Sequence, residues 1–391
     1  MVSKLKSFFI IVFTTIILLF FLDYFISSTT ELFHVKKDCF NYERLEFKKK
    51  NYYYYNLHKN CFAIEHKGTT PSYNVYTDET GYRIGKKSTI DNDNDKNKDK
   101  IIFLGDSFTY GFGLNYEESI PGIIKDKTNN FYQIINLGLM GYSPSMNLYN
   151  LKKYFENDEK NYKKIKKVFY ILDLTDVHDE SNRWVDIEGL NIPVILDENV
   201  EKEIIDTFDY KNNFRAIRFI SYIINKNIRN LRKKIINNFG KKNKEENISQ
   251  TFYGSFTYLT EQEKKSNNEY LKIWKKNEKF GIDKIKRKML EISLLLKKNT
   301  EAEFYIVVHP WRETVEYGQS QFSWENFAYE LCSISNCNKV INFFDEVKKI
   351  KETNPDWHSY IYFKNDLHFS SAGSKIYADK IFNESFYEFK N

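Results

Sequence analysis

The sequence predicts an α/β protein, three layers deep, in which helices cover both faces of a mostly parallel five-stranded sheet. Two observations carry that expectation. Short apolar runs of strand length lie at Lys100–Leu104, Tyr132–Asn136, Val168–Leu172, Glu303–Val308 and Lys339–Phe343. Segments with helical apolar spacing stand between and after them, at Ser119–Lys127, Ser145–Glu156, Ile282–Lys298, Trp324–Ser333 and from Ser371 onward. Continuous apolar strands are those buried on both faces, and connecting helices are what bury them. Five such strands fit a flavodoxin-like sheet, whose ligands bind beyond the carboxyl ends of the strands.

Each remaining stretch follows in order. Lys4 and Lys6 precede an apolar run from Phe8 to Leu22 that continues past Asp23 to Ile26, close to the span of about 20 residues that crosses a bilayer. Leading lysines favour an N-terminus held in the cytoplasm. Residues 1–27 therefore read as an uncleaved membrane anchor, with a cleaved signal peptide as the other reading. That places the rest of the chain outside the cytoplasmic membrane, periplasmic or extracellular. Residues 28–99 read as a membrane-proximal segment without strong periodicity, in which Lys48–Lys50 and the run Tyr52–Tyr55 suit a membrane surface. It ends in a solvated Asp, Asn and Lys linker at Asp91–Lys100, too poor in apolar residues to fold. The domain proper spans 100–391, with a helical insertion at about 186–282. Within it, Phe214–Asn237 is amphipathic, its basic face carrying Arg215, Arg218, Arg229 and Arg232; that face is either solvated or set against an anionic lipid or polysaccharide.

At 391 residues and 41% hydrophobic content the chain can bury one large core. The net charge of +6 is spread along the chain and accompanies no nucleic-acid-binding module, so that class of partner is excluded. No Gly-rich phosphate loop and no cofactor motif is present. The four cysteines suit an exported chain. Cys332 with Cys337 and Cys39 with Cys61 are candidate pairs, with free thiols as the other possibility, and neither spacing suits zinc. The oligomeric state has no signature.

Two motifs carry chemistry. The apolar run Ile101–Leu104 exits sharply through Gly105-Asp106-Ser107, which sets a hydroxyl at the end of a strand. Near the C-terminus Asp366-Leu367-His368 precedes Ser370, Ser371 and Gly373 at the start of the last helix. An alcohol becomes a competent nucleophile when a hydrogen-bonded base takes its proton and a carboxylate orients that base. Taken separately, Asp106, Ser107 and Asp366 also suit helix capping or loop roles.

Both motifs, in this order, resemble the GDSL/SGNH hydrolase superfamily, and the resemblance runs from about Ile101 to the C-terminus with one large insertion. It implies a serine esterase in which Ser107 attacks an ester carbonyl, His368 takes its proton and Asp366 orients the histidine. It also implies an oxyanion hole built from the amides of Ser107 and Gly141 and a third donor after the third strand. The family commonly places Asn there, whereas this chain has Asp173-Leu174-Thr175-Asp176, which sets Thr175 at the Asn position. Thr175 supplies that donor, Asn147 or another residue substitutes for it, or the enzyme is slow or inactive. Asp78-Glu79-Thr80-Gly81-Tyr82-Arg83 resembles a short element found ahead of the serine motif in extracytoplasmic members, with Asp78 in place of Asn. His309, Trp311, Arg312 and His178 stand near strand ends, as turn residues or substrate contacts. The resemblance implies O-acyl esters as substrates, plausibly O-acetyl groups on a small molecule or a cell-surface glycan, and no cofactor or metal. Acyl transfer to a sugar, and a non-catalytic glycan-binding or assembly role, are the alternatives.

Overall fold

The computed structural model describes residues 38–65, 70–86, 98–157, 162–195, 257, 269–364 and 366–389, together with helical positions between Ile11 and Leu22. The chain divides into two units, one of Met1–Lys36 with Glu201–Asn247 and one of Lys37–Val200 with Ile248–Asn391. In the first, only those positions between Ile11 and Leu22 are described. No helix among the described residues is long and apolar enough to cross a membrane. Much of the segment read as an anchor, the linker at Asp91–Lys100 as far as residue 97, and the amphipathic helix expected at Phe214–Asn237 lie outside the described residues.

The second unit is built around a parallel sheet of five strands, β6 (Lys100–Leu104), β7 (Gln133–Asn136), β8 (Ile165–Leu172), β11 (Glu303–Val308) and β12 (Lys339–Asn342). Their order is β12-β11-β8-β6-β7 and every pairing is parallel. Side chains alternate between two buried faces. Ile102, Leu104, Val168, Tyr170, Phe304 and Ile306 enter one core, with helices Pro144–Asn157, Glu269–Asn299 and Trp324–Ser335. Ile101, Phe103, Phe169, Ile171, Tyr305 and Val307 enter the other, with helices Ile120–Lys127 and Ser371–Ser385. Because both faces are dry, each strand reads as an unbroken apolar run. The order places β6 between β7 and β8, so the chain leaves β6 toward one edge and crosses back over it to reach β8. Such a reversal opens a crevice at the carboxyl end of the strand where it occurs. Gly105, Asp106 and Ser107 leave β6 at that point.

The stretch read as lacking periodicity carries five strands. β1 (Phe40–Phe47) and β2 (Lys50–Leu57) form a hairpin, and β3 (Phe62–Glu65), β4 (Tyr73–Thr77) and β5 (Arg83–Ile84) form a three-stranded antiparallel sheet. The hairpin turn is Lys48-Lys49, both with positive φ (49° and 60°), a geometry more often supplied by Asn-Gly. Tyr52 to Tyr55 are all buried, because Tyr54 meets Tyr149 on one face and Tyr55 meets Tyr142 and Trp184 on the other. A strand covered on both sides has no period-two signature, and these tyrosines are core rather than a membrane surface. The start of the expected helical insertion also differs. β9 (Trp184–Val185) and β10 (Val194–Ile195) complete a four-stranded sheet with the hairpin, in the order β1-β2-β10-β9.

Cys39–Cys61 ties the two small sheets to each other and Cys332–Cys337 closes a short loop elsewhere, both as disulfides; what fastens the sheets to the domain is a turn and an arginine. Asp78 Oδ1 accepts from the amides of Thr80, Gly81 and Tyr82, each at 2.9 Å, and so forms the turn that delivers Arg83. The Arg83 guanidinium is buried against the Tyr110 ring at 4.4 Å and donates to the carbonyls of Tyr110, Gly111 and Leu114. The element ahead of the serine motif thus clamps the chain just after Ser107.

Candidate active site

Asp106 caps the short helix Ser107–Tyr110, its carboxylate accepting from the amide of Phe108 at 2.9 Å. Capping and presentation of Ser107 are therefore the same turn. Asn147, fully buried on the helix Pro144–Asn157, accepts from the amide of Gly105 at 3.1 Å and fixes the exit from β6.

The last motif is built locally. Tyr362 and Phe369 pair as an antiparallel bridge, and the amide of Phe363 bonds the carbonyl of His368, closing the loop that carries Asp366. Asp366 Oδ1 accepts from the amide of His368 at 3.1 Å and from its ring Nδ1 at 2.5 Å. A side chain that bonds the backbone two residues on is a common turn former. Here it also explains the Asp-x-His spacing, since the turn brings carboxylate and imidazole together. Ser370 then caps the final helix through the amide of Gly373 at 3.0 Å. A Cβ at Gly373 would lie 2.0 Å from the Ile361 carbonyl oxygen, which explains the glycine five residues after the histidine.

These two loops meet. His368 Nε2 lies 2.8 Å from Ser107 Oγ. With Nδ1 protonated and donating to Asp366, Nε2 is the acceptor for the Ser107 hydroxyl, the arrangement general-base activation needs. The imidazole is held between the rings of Phe108 and Phe112, with centroids at 5.0 and 4.3 Å. Burial alone would raise the Asp366 carboxyl, but the hydrogen bond and charge of His368 outweigh it and hold its pKa below the ordinary value. A shallow surface depression at Ser107 is lined by Phe108, Phe112, Leu114, His368 and Phe369.

The other expected residues are placed differently. Thr175 donates its hydroxyl to Asp173 Oδ1 at 2.5 Å, and its amide donates to the same oxygen at 2.9 Å. Asn147 donates to the Ser143 carbonyl and to the Tyr170 hydroxyl. Both side chains shape the loops around the end of β6, Thr175 through Asp173 and Asn147 through Gly105 and Ser143. Gly141 has φ +70° and gives its carbonyl to Trp184 Nε1 at 2.7 Å. It packs against Arg183 and Tyr55, and no bond runs from it to Ser107 or His368.

His309 and Trp311 are also not substrate contacts. His309 is fully buried, tilted against the Phe108 ring at 4.4 Å, and approaches Asp173 at 3.4 Å without a hydrogen-bonding angle. Burial lowers its pKa, against the pull of Asp173. Trp311 Nε1 donates to Asp173 at 2.7 Å, and Arg312 pairs with Glu313 at 2.9 Å. His178 bonds Asn182 through Nδ1, and burial lowers its pKa to about 4.

What the sequence did not reveal is a buried acidic layer beneath the site. Burial, with the charge of Asp173 second, pushes Asp106 well above the usual carboxylate range. Burial and the neighbouring Asp106 do the same to Asp176. Glu180 accepts from Ser143 Oγ, Ser145 N and Ser145 Oγ, each at 2.6 Å, and pairs with Lys284 at 2.9 Å. The density of acids at 173–180 was the available signal. Their partners lie on other elements and leave no local pattern.

No family model and no curated relative matches the chain. Its course is similar to solved structures of lipolytic esterases. The psychrotrophic esterase EstA of Pseudoalteromonas sp. is 12% identical over 75% of this chain and 100% of its own, with a TM-score of 0.37. The acetylxylan esterase Axe2 of Geobacillus stearothermophilus is 13% identical over 75% and 96%, with a TM-score of 0.36. A lipase/acylhydrolase of Enterococcus faecalis is 11% identical over 73% and 94%, with a TM-score of 0.36. At such identities the chemical reading rests on this chain's own topology and on its Ser107–His368–Asp366 line.

Proposed function

We propose that this chain is a serine esterase of GDSL/SGNH type that hydrolyses O-acyl esters, with O-acetyl groups of a cell-surface glycan as the substrate. The carrying observation is the hydrogen-bonded line from Ser107 Oγ through His368 to Asp366, set at the carboxyl end of β6 where the sheet order reverses. In acylation Ser107 Oγ bonds to the carbonyl carbon, its proton passes to His368 Nε2, and the carbonyl π pair moves onto oxygen. Collapse of that oxyanion breaks the carbon–oxygen bond to the alcohol, which leaves with the proton from His368. Water then repeats the sequence on the acyl-serine, releasing the carboxylic acid and the free Ser107 hydroxyl. Asp366 stays ionised and holds the imidazolium formed in each half-reaction.

A tethered location outside the cytoplasm is supported by Lys4, Lys6 and the apolar run to Ile26, and by two disulfides, which persist in oxidising compartments. Hydrolysis of p-nitrophenyl acetate by the wild type and by Ser107→Ala tests the reading. Turnover is expected from the wild type alone, and equal rates in the two would sink it.

A further inference from the structure

We propose that Asp106 works as a neutral carboxylic acid whose Oδ2 proton is donated to Ser107 Oγ, so that the serine's own proton is left to His368 alone. This role rests on the esterase reading above and deepens it at the same hydroxyl.

Ser107 Oγ has two polar side-chain neighbours within hydrogen-bond range, His368 Nε2 at 2.8 Å and Asp106 Oδ2 at 3.3 Å. A hydroxyl carries one proton to give. The shorter contact takes it, which is the direction general-base activation requires. The longer contact then holds a proton only if Asp106 brings one. An ionised Asp106 would instead compete with His368 for the serine proton and turn the hydroxyl away from its base.

The surroundings of Asp106 favour the neutral acid. The residue is 2% exposed. Its Oδ1 accepts from the amide of Phe108 at 2.9 Å, which suits the carbonyl oxygen of an acid and leaves Oδ2 as the hydroxyl. The charges that act on it are those of Asp173 and Asp179, and Asp176 and the Tyr170 hydroxyl feel it in turn. All four are acids. The cations and donors nearby are engaged with other carboxylates: Arg183 with Asp179 at 3.3 Å, Lys284 with Glu180 at 2.9 Å, and Trp311 Nε1 and Thr175 with Asp173. His309, packed on the Phe108 ring, has its Nε2 3.4 Å from Asp173. A buried carboxyl with no cation beside it takes up a proton rather than carry its charge unpaired, and burial, with Asp173 second, pushes this one up.

A carboxylic acid kept neutral by its site so that it can donate a hydrogen bond is an established catalytic device. Here it serves the attack step. As the Ser107 proton passes to His368 Nε2, Oγ gains negative character, which the Asp106 O–H stabilises and a carboxylate would repel. No bond breaks at Asp106, which keeps its proton throughout.

The test joins infrared difference spectroscopy to steady-state hydrolysis of p-nitrophenyl acetate, using the full chain as wild type, Asp106→Asn and Asp106→Ala. At neutral pH the wild-type minus Asp106→Asn spectrum should carry the C=O stretch of a protonated carboxyl. Asp106→Ala is expected to lower kcat about tenfold with KM little changed, the worth of one hydrogen bond, and Asp106→Asn, whose amide N–H stands where the acid O–H stood, to recover most of that loss. As pH rises, wild-type kcat should fall in step with the C=O band, a decline absent from Asp106→Asn; a role in helix capping alone would not tie the rate to that proton. Thermal unfolding of each variant establishes that the losses occur in folded protein. Carboxylate bands in place of the C=O band, or a loss of about 10²-fold or more in Asp106→Asn, would show that Asp106 acts as an anion and overturn the proposal while the assignment of Ser107 stands. Equal turnover by wild type and Ser107→Ala would instead sink the esterase reading, and this role with it.

Discussion

The two walls of the cleft are built by opposite means. On one side Ser107, Asp366 and His368 come from two short loops whose geometry is set within a few residues, by the Asp106 cap and by the Asp366 turn. On the other side the segment from Asp173 to Trp184 is placed by partners far away in sequence, among them Trp311, Lys284 and Ser143. The first wall is partly exposed, with Asp366 and His368 side chains at 16% and 15%, while Glu180 and Lys284 are at 0% and 4%. Chemistry is concentrated on one wall, and stability on the wall that faces it.

Substitutions separate the two. Ser107→Ala should lower kcat by about 10⁶-fold and Asp366→Asn by about 10⁴-fold, the scale at which members of such a unit act, with little change in unfolding temperature. An unfolding temperature that falls with the rate would mean that the first wall is also structural. On the second wall Glu180→Leu leaves buried Lys284 with only the Asp186 carboxylate at 3.9 Å and the Trp184 carbonyl as partners, and breaking a buried pair in this way costs about 3–5 kcal/mol. Denaturant unfolding measures it, and a loss below 1 kcal/mol would remove the distinction.

Smaller effects sharpen the picture. Cys39–Cys61 joins residues 22 apart and Cys332–Cys337 joins residues 5 apart. Loop-closure entropy gives about 3 kcal/mol for the first and about 2 kcal/mol for the second, so replacing each pair by alanine should rank them in that order by denaturant unfolding. A further effect is one of pH. Burial raises the Asp179 carboxyl to about 7, against the pull of Arg183. In the unfolded chain it ionises near the ordinary value of about 4, so between about pH 4 and 7 the folded state binds the extra proton. That contribution is full below the unfolded pKa and is lost as pH rises toward 7. Asp179→Asn should flatten the decline, and an unchanged slope in denaturant titrations across that window would show that Asp179 is not its source.

The same contrast governs what could be read from the sequence. The five core strands were legible because two dry faces make each an apolar run, and the Ser107, Asp366 and His368 constellation was legible because each half is a local motif. The partner of Thr175 was not legible, because its position in the order of blocks says nothing of Asp173, two residues earlier, which takes its hydroxyl. The hairpin was missed because Lys48-Lys49 occupies a turn that other residues usually mark, and because Tyr52–Tyr55 is buried on both sides.

The central claim is that Ser107 is a nucleophile activated by His368. The most direct measurement is incubation of the folded chain with a fluorophosphonate, followed by proteolysis and mass mapping of the adduct. A single adduct on Ser107, absent from Ser107→Ala and strongly slowed in His368→Ala, is the predicted result. An unmodified Ser107 in folded wild type, or labelling that is indifferent to His368, would contradict it.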